Sequence, residues 1–494
     1  MPQVRHDLGE KGRRHQVRNL SLLLIVALAP SAWAARRESV ENLQITVHGR
    51  IGQRVEWRKD AAAEAEISRT VHALLRRTLT ADRAVQVALL NNRELQAVFE
   101  EIGVANADLT EAGLLKNPNF DVSARFPDRS PSGTNLEFGI VQDFLDLFLI
   151  PLRKKVAANE LARAQLRVGD AVLKLAAEVK TTFYTLQAKQ QLFSRITALG
   201  ATNAAALDFA QRQHEGGTIN DLELANQQAT YSQAKADAAE ITAEMVADRE
   251  KLNRLIGVWG PDTRWKIADE LPSIPDRNLP FDRLESTAVA QRLDLAAAKA
   301  ELSAVVQSLG LTKTYRYVGA VDFGVDTESD TGGQRVTGPR LRLELPIFNQ
   351  GQGRIARLQA QLRQAERRLE AQAIDIRSEV REARDRLLAK KDLAAYYHDE
   401  LIPDRARVLN LTLEHYNAML KGAYDLLLAK QNQLAAERGY IDALRDYWIA
   451  RADLERAVGG SLSPHSFSSS SSSSVSGEPE GKETRTRTAG RKDD

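Results

Sequence analysis

The chain has 494 residues, a formal net charge of +2 and no cysteine. This length is enough for two or three domains with buried cores. A charge this close to zero gives no electrostatic support for a nucleic-acid partner. The lack of cysteine excludes disulfides, thiolate metal sites and cysteine nucleophiles. It also leaves no N-terminal cysteine for a bacterial lipid anchor, so we expect none.

The N-terminus has the pattern of a secretory signal peptide, predicted to cover residues 1–34. Basic residues at positions 11–18 precede a short apolar run at 20–28, and Ala32 and Ala34 supply the small residues that a signal peptidase reads. The apolar run is about half the length that crosses a bilayer as a helix. We therefore predict export from the cytoplasm, with residues 35–78 as an N-terminal periplasmic segment.

Most of the remaining chain is predicted to be helical, with long helices at 152–215, 221–257, 352–420 and 424–458. Proline and glycine are scarce in these stretches. Apolar residues recur in them every seven positions, which is typical of helices packed lengthwise as coiled coils. The four sets are Val172, Val179, Leu186 and Phe193; Leu224, Tyr231, Ala238, Met245 and Leu252; Ile355, Leu362, Leu369, Ile376 and Ala383; and Leu427, Leu434, Ile441 and Trp448.

Four short stretches between the helices alternate apolar with polar residues, which predicts two β-hairpins at 119–145 and 315–346. The alternation covers 120–126, 136–140, 315–326 (with Tyr315 and Tyr317) and 341–345. The lengths suit tilted membrane strands, and the charges on the polar side suit a water-filled lumen. Polar turns at 128–133 and 328–333 join the strands of each hairpin.

Four strands cannot close a barrel alone. Every backbone group within a bilayer needs a hydrogen-bond partner, and the smallest known barrels have about eight strands. If these strands cross a membrane, several protomers must share one barrel, so the protein must be an obligate oligomer. Soluble hairpins on a periplasmic coiled-coil scaffold would give the same alternation, and this alternative remains open.

The chain repeats one plan twice, at 79–257 and 281–460, offset by roughly two hundred residues. In each copy a helix leads to a hairpin, a long helix, a glycine-containing turn and a second helix. The turns contain Gly216 and Gly217 in the first copy and Gly422 in the second. A proline-rich linker is expected at 258–280. The serine-rich segment 461–494 is too polar to bury a core and is predicted to be disordered.

The sequence contains no constellation of residues that supports catalysis, and we predict neither a cofactor nor enzymatic activity. His415 and Met419 lie four positions apart near the second turn and are weak candidates for a soft-metal relay. Asp221 and Asp425 are stronger candidates, since in a symmetric oligomer each would form a carboxylate ring at a pore entrance, attracting cations and gating the pore. The competing interpretation is that both aspartates only cap helices.

Over roughly residues 74–460 the sequence resembles the TolC-like outer-membrane efflux family. Residues 79–92 resemble the family's opening helix, and residues 113–118 resemble its approach to the first strand. The most specific likeness is the passage from the last strand to the long helix at 345–354, which contains Pro346, Phe348, Gly351 and Gly353.

The resemblance implies an α+β membrane protein: a homotrimer with a long coiled-coil α-helical periplasmic barrel and one transmembrane β-barrel, to which each protomer gives four strands. It also implies outer-membrane lipid around the strands, an inner-membrane pump, and a periplasmic adaptor that contacts the turns at Gly216, Gly217 and Gly422. The expected function is a passive conduit that exports small molecules or metal cations from a Gram-negative cell. A role in type I protein secretion is the alternative within transport.

Overall fold

The computed structural model describes residues 41, 43–58, 61–126, 128–129, 133–275, 281 and 283–462. The predicted signal peptide and the serine-rich segment from residue 463 onward lie outside these ranges, as does part of the first hairpin turn. The helices, in chain order, are α1 (residues 43–51), α2 (Ala61–Leu75), α3 (Ala81–Asn91), α4 (Arg93–Ala112), α5 (Leu145–Glu215), α6 (Asp221–Ile256), α7 (Leu284–Gln291), α8 (Leu293–Thr314), α9 (Gln352–Tyr396), α10 (Ile402–Asn417) and α11 (Ala423–Val458). The strands are β1 (Asn119–Arg125), β2 (Asn135–Asp143), β3 (Val321–Ser329) and β4 (Arg335–Leu343).

Helix α5 has 71 residues and spans roughly 105 Å. It begins at Leu145, seven residues earlier than the sequence predicts, and Pro151 lies inside it. Proline removes one backbone hydrogen bond and so was expected to mark the helix start. The carbonyl that loses its donor belongs to Leu147, which lies in the first turn of the helix and has an exposed side chain.

The second long helix is interrupted, in contrast to the prediction of one helix over 352–420. A turn of π-helix at Tyr397–Leu401 separates α9 from α10, and α10 ends at Asn417. Pro403 lies just beyond this wide turn, and because it lacks an N–H it cannot continue the regular ladder of hydrogen bonds. The ring of Tyr397 packs against Gly439 on α11, where a β-carbon would collide with it.

The seven-residue periodicity appears as rows of buried side chains along the helices, here called seams. These rows do not always consist of the predicted residues. Val172, Val179 and Leu186 are buried on α5. On α6 the predicted set is mostly half-buried, and the buried seam is Gln227, Ala234 and Ile241, three positions further along. On α11 the seam consists of alanines, which allow neighbouring helices to approach closely. These are Ala429, Ala436, Ala443, Ala450 and Ala457.

The strands form one antiparallel sheet in the order β1-β2-β3-β4. Phe120 pairs with Ile140, Ile140 with Val325, and Val325 with Pro339. Because side chains alternate along each strand, these paired residues share one face, which is apolar. The opposite face carries the charged residues Asp121, Arg125, Glu137, Asp322, Asp326, Glu328, Arg340 and Arg342.

The alternation predicted over 315–326 was wrong at its start. Tyr315 ends α8, its N–H bonded to the Leu311 carbonyl, and Tyr317 lies in the connection before β3 begins at Val321. Two tyrosines at alternate positions occur at the end of a helix as well as in a strand. Two residues are too few to distinguish the two-residue period of a strand from the 3.6-residue period of a helix. Leu345 likewise lies beyond the end of β4.

The main core lies midway along the molecule, where the two repeats meet the N-terminal segment and the linker. Trp265 of the linker is buried, and its indole N–H donates to Asn253 at 2.9 Å. Leu79 and Ile267 form an isolated parallel bridge. From α1, the Arg50 guanidinium donates to the Gly459 carbonyl at 2.8 Å. The linker and the N-terminal segment therefore hold the two repeats together.

No helix in the described ranges is both long enough and apolar enough to cross a membrane.

Gly257, which follows α6, packs closely against Asn91 at the end of α3. Its φ is +70°, and an added β-carbon would lie 2.5 Å from the Asn91 carbonyl oxygen. We expect Gly257→Ala to destabilise the fold by about 2 kcal/mol or more, since left-handed strain of about 1 kcal/mol adds to a backbone clash. Thermal unfolding followed by circular dichroism checks this.

Gly260→Ala is the matched control. Gly260 has a similar φ of +60°, but an added β-carbon there would meet nothing within 4 Å. It should therefore show only the conformational strain and a smaller loss of apparent Tm. Equal losses for the two variants would mean that the contact with Asn91 contributes nothing to the stability.

Candidate functional site

The two turns farthest from the sheet, 216–220 and 418–422, are here called the tip turns. Both use the same hydrogen bonds: Gly217 N–H donates to the His214 carbonyl at 2.9 Å, and Met419 N–H donates to the Tyr416 carbonyl at 2.9 Å. The offset between these residues is 419 − 217 = 202 positions. Helices α6 and α11, which follow the tip turns, each have 36 residues. The two repeats therefore build the same hairpin end.

The repeats differ at the residue that must adopt a left-handed backbone. Gly217 has φ +68°, which glycine adopts without strain, whereas its counterpart Met419 has φ +59°. A residue with a β-carbon is strained in this conformation by roughly 1–2 kcal/mol. Met419 is also 94% exposed, so no packing around its side chain offsets this strain.

Asp221 and Asp425 have different structural roles at the tip turns. In the first turn the helix cap is Asn220, whose side-chain oxygen accepts the Glu223 N–H at 2.9 Å. In the second, Asp425 accepts the Gly422 N–H at 3.1 Å and lies 3.4 Å from the Lys421 ammonium. Asp425 therefore caps α11, as the competing interpretation proposed, whereas Asp221 is not the cap of α6.

The Asp221 carboxylate projects from the tip. Its side chain is 98% exposed, and one oxygen lies 2.6 Å from Nε2 of His214 on the preceding helix. The pair joins the last turn of α5 to the first turn of α6 across the tip turn. Asp221 still faces solvent while paired with His214, so of the two predicted aspartates it contributes the more exposed negative charge at the tip turns.

The two tips lie side by side. The hydroxyl of Tyr424 on α11 hydrogen-bonds the Gln227 side chain on α6 and lies near the Glu223 carboxylate. Partial burial, and then the negative charge of Glu223, raise the pKa of Tyr424 above its ordinary value, with the Gln227 bond acting the other way. The contact places the first-turn carboxylates of α6 next to the start of α11.

The soft-metal hypothesis placed His415 and Met419 on one helix face, and this was wrong. Helix α10 ends at Asn417, and Met419 lies beyond it in a left-handed conformation. The hypothesis, based on the four-residue spacing, assumed that the helix containing His415 would continue to Met419. Among the residues described, no group of three or more His, Cys, Asp or Glu side chains is placed to hold a metal ion.

The charged face of the sheet is organised by ion pairs between strands. The Glu137 carboxylate on β2 lies 3.1 Å from Arg340 on β4 and 3.5 Å from Arg125 on β1. Arg340 crosses the intervening strand β3 at Gly324, its paired residue, and its guanidinium reaches over Gly139 of β2, where the lack of a side chain leaves room for it. Such a face is hydrated and charged, whereas the opposite face is apolar.

The strand-to-helix passage that carries the sequence signature is a compact turn. Gly351 adopts φ +72°, and its N–H donates to the Asn349 side chain at 3.1 Å. The Gln352 amide donates to the Phe348 carbonyl at 3.0 Å. These bonds hold Phe348 with 91% of its surface exposed, beside the half-buried Pro346. An added β-carbon at Gly353 would meet nothing within 4 Å.

The fold is that of known outer-membrane channels. Campylobacter jejuni CmeC, described as an outer membrane channel, aligns with a TM-score of 0.66 at 17% identity over 77% of this chain and 85% of that chain. The open state of the Neisseria gonorrhoeae MtrE outer membrane channel aligns at 0.61, with 18% identity over 79% and 89%. CusC, whose structures concern transmembrane channel formation, aligns at 0.66, with 15% identity over 77% and 92%.

Residues 84–258 match the family model described as outer membrane efflux protein. This stretch begins in α3 and ends just after α6, so it covers most of the first repeat. No curated protein matches the chain. The resemblance predicted from the sequence is thus confirmed: the chain has the TolC-like fold of helical hairpins on a four-stranded sheet, and most of its first repeat matches the outer membrane efflux protein model.

Sequence reasoning missed Asn220 as the cap and His214 as the partner of Asp221. A signal for the cap was present, since Asn220 is followed three positions later by Glu223 in the pattern of a capping box. The His214 contact had no local signal, because it depends on the bend of the tip turn. The strand-crossing role of Arg340 likewise requires the register of three strands.

The assignment of Asn220 as the N-cap of α6 can be tested by substitution at the first tip turn. We expect Asn220→Ala to destabilise the first turn of α6 by about 1 kcal/mol, because the Glu223 N–H loses its acceptor. Amide hydrogen exchange of the first turn should accelerate correspondingly. Asp221→Ala, one position away, should have a clearly smaller effect. Equal acceleration in both variants would contradict the assignment of the cap.

Proposed function

We propose that the protein is the outer-membrane channel subunit of a tripartite exporter. In this proposal it is a homotrimer that acts as a passive conduit from the periplasm to the exterior and makes or breaks no covalent bonds. The observation that carries the proposal is the four-stranded sheet, which has one apolar face, one charged face and two strands, β1 and β4, each paired on one side only within the described chain.

An unpaired strand edge is incompatible with lipid, because its N–H and C=O groups would lack hydrogen-bond partners. Pairing β4 of one copy with β1 of the next removes both edges. Three copies of four strands give twelve strands, within the range of known transmembrane barrels. In such a barrel the apolar face meets lipid, and the ion-paired face around Glu137 lines the lumen.

The long helices support the same assembly. Several apolar side chains on α9 and α10 are exposed in the single chain, and a single protomer offers no partner for them. Packing against the next protomer in a helical barrel would cover such residues. They are Ile374, Leu393, Val408, Leu411 and Leu413.

The tip turns are the proposed entrance. In a trimer Asp221 would occur three times around the axis, next to Glu223, and would favour cations there. Gly216, Gly217 and Gly422 would lie where a periplasmic adaptor meets the channel, with an inner-membrane pump supplying the energy. Small molecules or metal cations are the proposed cargo.

Cross-linking between edge strands tests the shared barrel. Because the sequence has no cysteine, a Val122→Cys/Leu341→Cys variant carries one thiol on each edge strand, both on the apolar face. A flexible bis-maleimide reagent tolerates a register shift of a few residues. We expect covalent dimers and trimers on a denaturing gel, because β1 and β4 of neighbouring copies pair.

The matched control is Ile140→Cys/Val325→Cys, which places both thiols on paired residues of the two central strands. This variant should cross-link within one chain and remain a monomer on the gel. A monomer pattern for the edge pair as well, in protein extracted from outer membranes, would rule out the shared barrel.

Ion selectivity tests the entrance. We expect discrete channels in a planar bilayer and a fall of roughly twofold or more in cation-to-anion permeability for Asp221→Asn, since a ring of charge near the path is removed. Asp392→Asn, on α9, is the control, because Asp392 is an exposed carboxylate far from the tips. Unchanged selectivity in Asp221→Asn would leave the conduit but remove the acidic entrance.

A further inference from the structure

All four connections between helices and strands lie at one end of the sheet. They are residues 113–118, Phe144, 315–320 and 344–351, which together with the first two turns of α5 (residues 145–151) are here called the junction band. The register requires this arrangement, since Asn119 pairs with Val141, Asp143 with Asp322, and Val321 with Leu343. The junction band therefore forms a single level between the sheet and the helices.

Every connection of the junction band exposes large apolar side chains. Such residues are normally scattered on a soluble surface, and a contiguous group indicates a contact with another apolar phase. These side chains are Leu114 and Leu115; Phe144, Leu147 and Phe148; Tyr317 and Val318; and Leu345, Ile347 and Phe348.

The junction band continues the apolar face of the sheet. Phe144 packs edge-to-face on Phe323, with ring centroids 5.9 Å apart. Phe323 pairs with Leu341 on the apolar face. The surface proposed above to meet the hydrocarbon core thus extends to the level of the helix ends, where aromatic side chains are favoured at a membrane interface.

Just beyond the junction band, on the helix side, lies a set of exposed cations, the basic collar: Lys154, Lys155, Lys313, Arg354 and Arg357. The Lys154 side chain runs along Gly113 at the end of α4, which fixes its level. Among the described residues no carboxylate lies within 4.0 Å of any collar cation.

The acidic residues at this level do not neutralise the basic collar. Asp146 is buried and bound to Arg153 at 2.9 Å, and Lys116 lies 3.2 Å from Asp143. Both carboxylates are therefore already compensated by other cations. The remaining exposed carboxylates nearby are on α4 and in the 344–351 connection, and they are fewer than the collar cations: Asp108, Glu111 and Glu344.

Helix stability does not account for the basic collar. A cation in the last turn of a helix is favourable, which explains Lys313 in α8. Arg354 and Arg357 lie in the first two turns of α9, where a positive charge opposes the helix dipole, and the first turn of α9 has no acidic residue. The two arginines therefore fit an external anion better than they fit their own helix.

We propose that the basic collar binds the phosphate groups of anionic phospholipids in the membrane leaflet on the helix side, while the junction band lies among the lipid headgroups and upper acyl chains. This inference rests on the proposed membrane barrel. Long basic side chains bury their stems along apolar surface and extend their charges to the headgroups. Each such charge near an anionic lipid surface is attracted to that surface, and the attractions of several neighbouring charges add.

Lipid binding to the intact detergent-purified protein tests the proposal, with phosphatidylglycerol and phosphatidylcholine titrated separately and counted by native mass spectrometry. We expect the wild type to prefer phosphatidylglycerol, and Lys154→Gln/Lys155→Gln to weaken that binding by roughly tenfold. Lys235→Gln/Lys251→Gln, on α6, removes two exposed lysines away from the collar and should leave the preference unchanged.

Equal loss in both double variants, or no preference in the wild type, overturns the basic collar as a lipid site. Conductance in a phosphatidylcholine bilayer is measured on the same samples. Channels that persist without any anionic-lipid preference would reject this inference and keep the proposed function, whereas the absence of channels in every lipid would reject both.

Phe348→Trp supplies a second measurement that removes no charge. In vesicles of phosphatidylglycerol with brominated acyl chains, the added tryptophan fluorescence should be quenched, because Phe348 lies in the junction band. An unquenched signal in protein that forms channels would place the junction band in water and contradict the proposal.

Discussion

The unpaired backbone at the two edges of the sheet constrains everything else in this molecule. Four strands with an apolar face can exist in lipid only if both edges find partners. Within its described residues one chain offers no such partners, so in the proposed barrel further copies provide them. In the same proposal the long helices are the part of each copy that remains in water, and the alanine seam of α11 allows neighbouring helices to pack closely.

The two repeats contribute equally to the sheet whose edges must be paired. Each repeat provides one β-hairpin to the sheet and one helical hairpin, in which the longer arm of the first repeat, α5, extends roughly 100 Å. The repeats agree closely at their ends, where the tip turns use the same hydrogen bonds, and differ in how they are held at the middle. In the first repeat Asn91 bonds the carbonyl of Gly257, whereas in the second Arg50 from the N-terminal segment bonds the carbonyl of Gly459. The N-terminal segment before the first repeat thus helps to hold the second repeat in place at the middle of the molecule.

Much of the fold could be predicted from the sequence, because helices with seven-residue periods and strands with alternating faces each leave a regular pattern. The patterns failed where a contact distant in sequence decided the outcome. Pro151, expected to precede the helix, lies inside α5, whereas Pro403, which fell within one predicted helix, follows a π turn that interrupts it. The candidate site was predictable to the level of the tip turns. The different roles of Asp221 and Asp425 depend on which neighbouring residue, Asn220 or Gly422, starts the helix.

The mass of the particle extracted from outer membranes tests the shared barrel most directly. The protein would be expressed with its own N-terminal segment, extracted in mild detergent and weighed by native mass spectrometry. We expect three chains in one particle and no stable monomer, because each sheet needs two neighbours to complete its hydrogen bonds. A monomer that remains folded in detergent, or protein found entirely in the soluble fraction, would contradict the shared barrel.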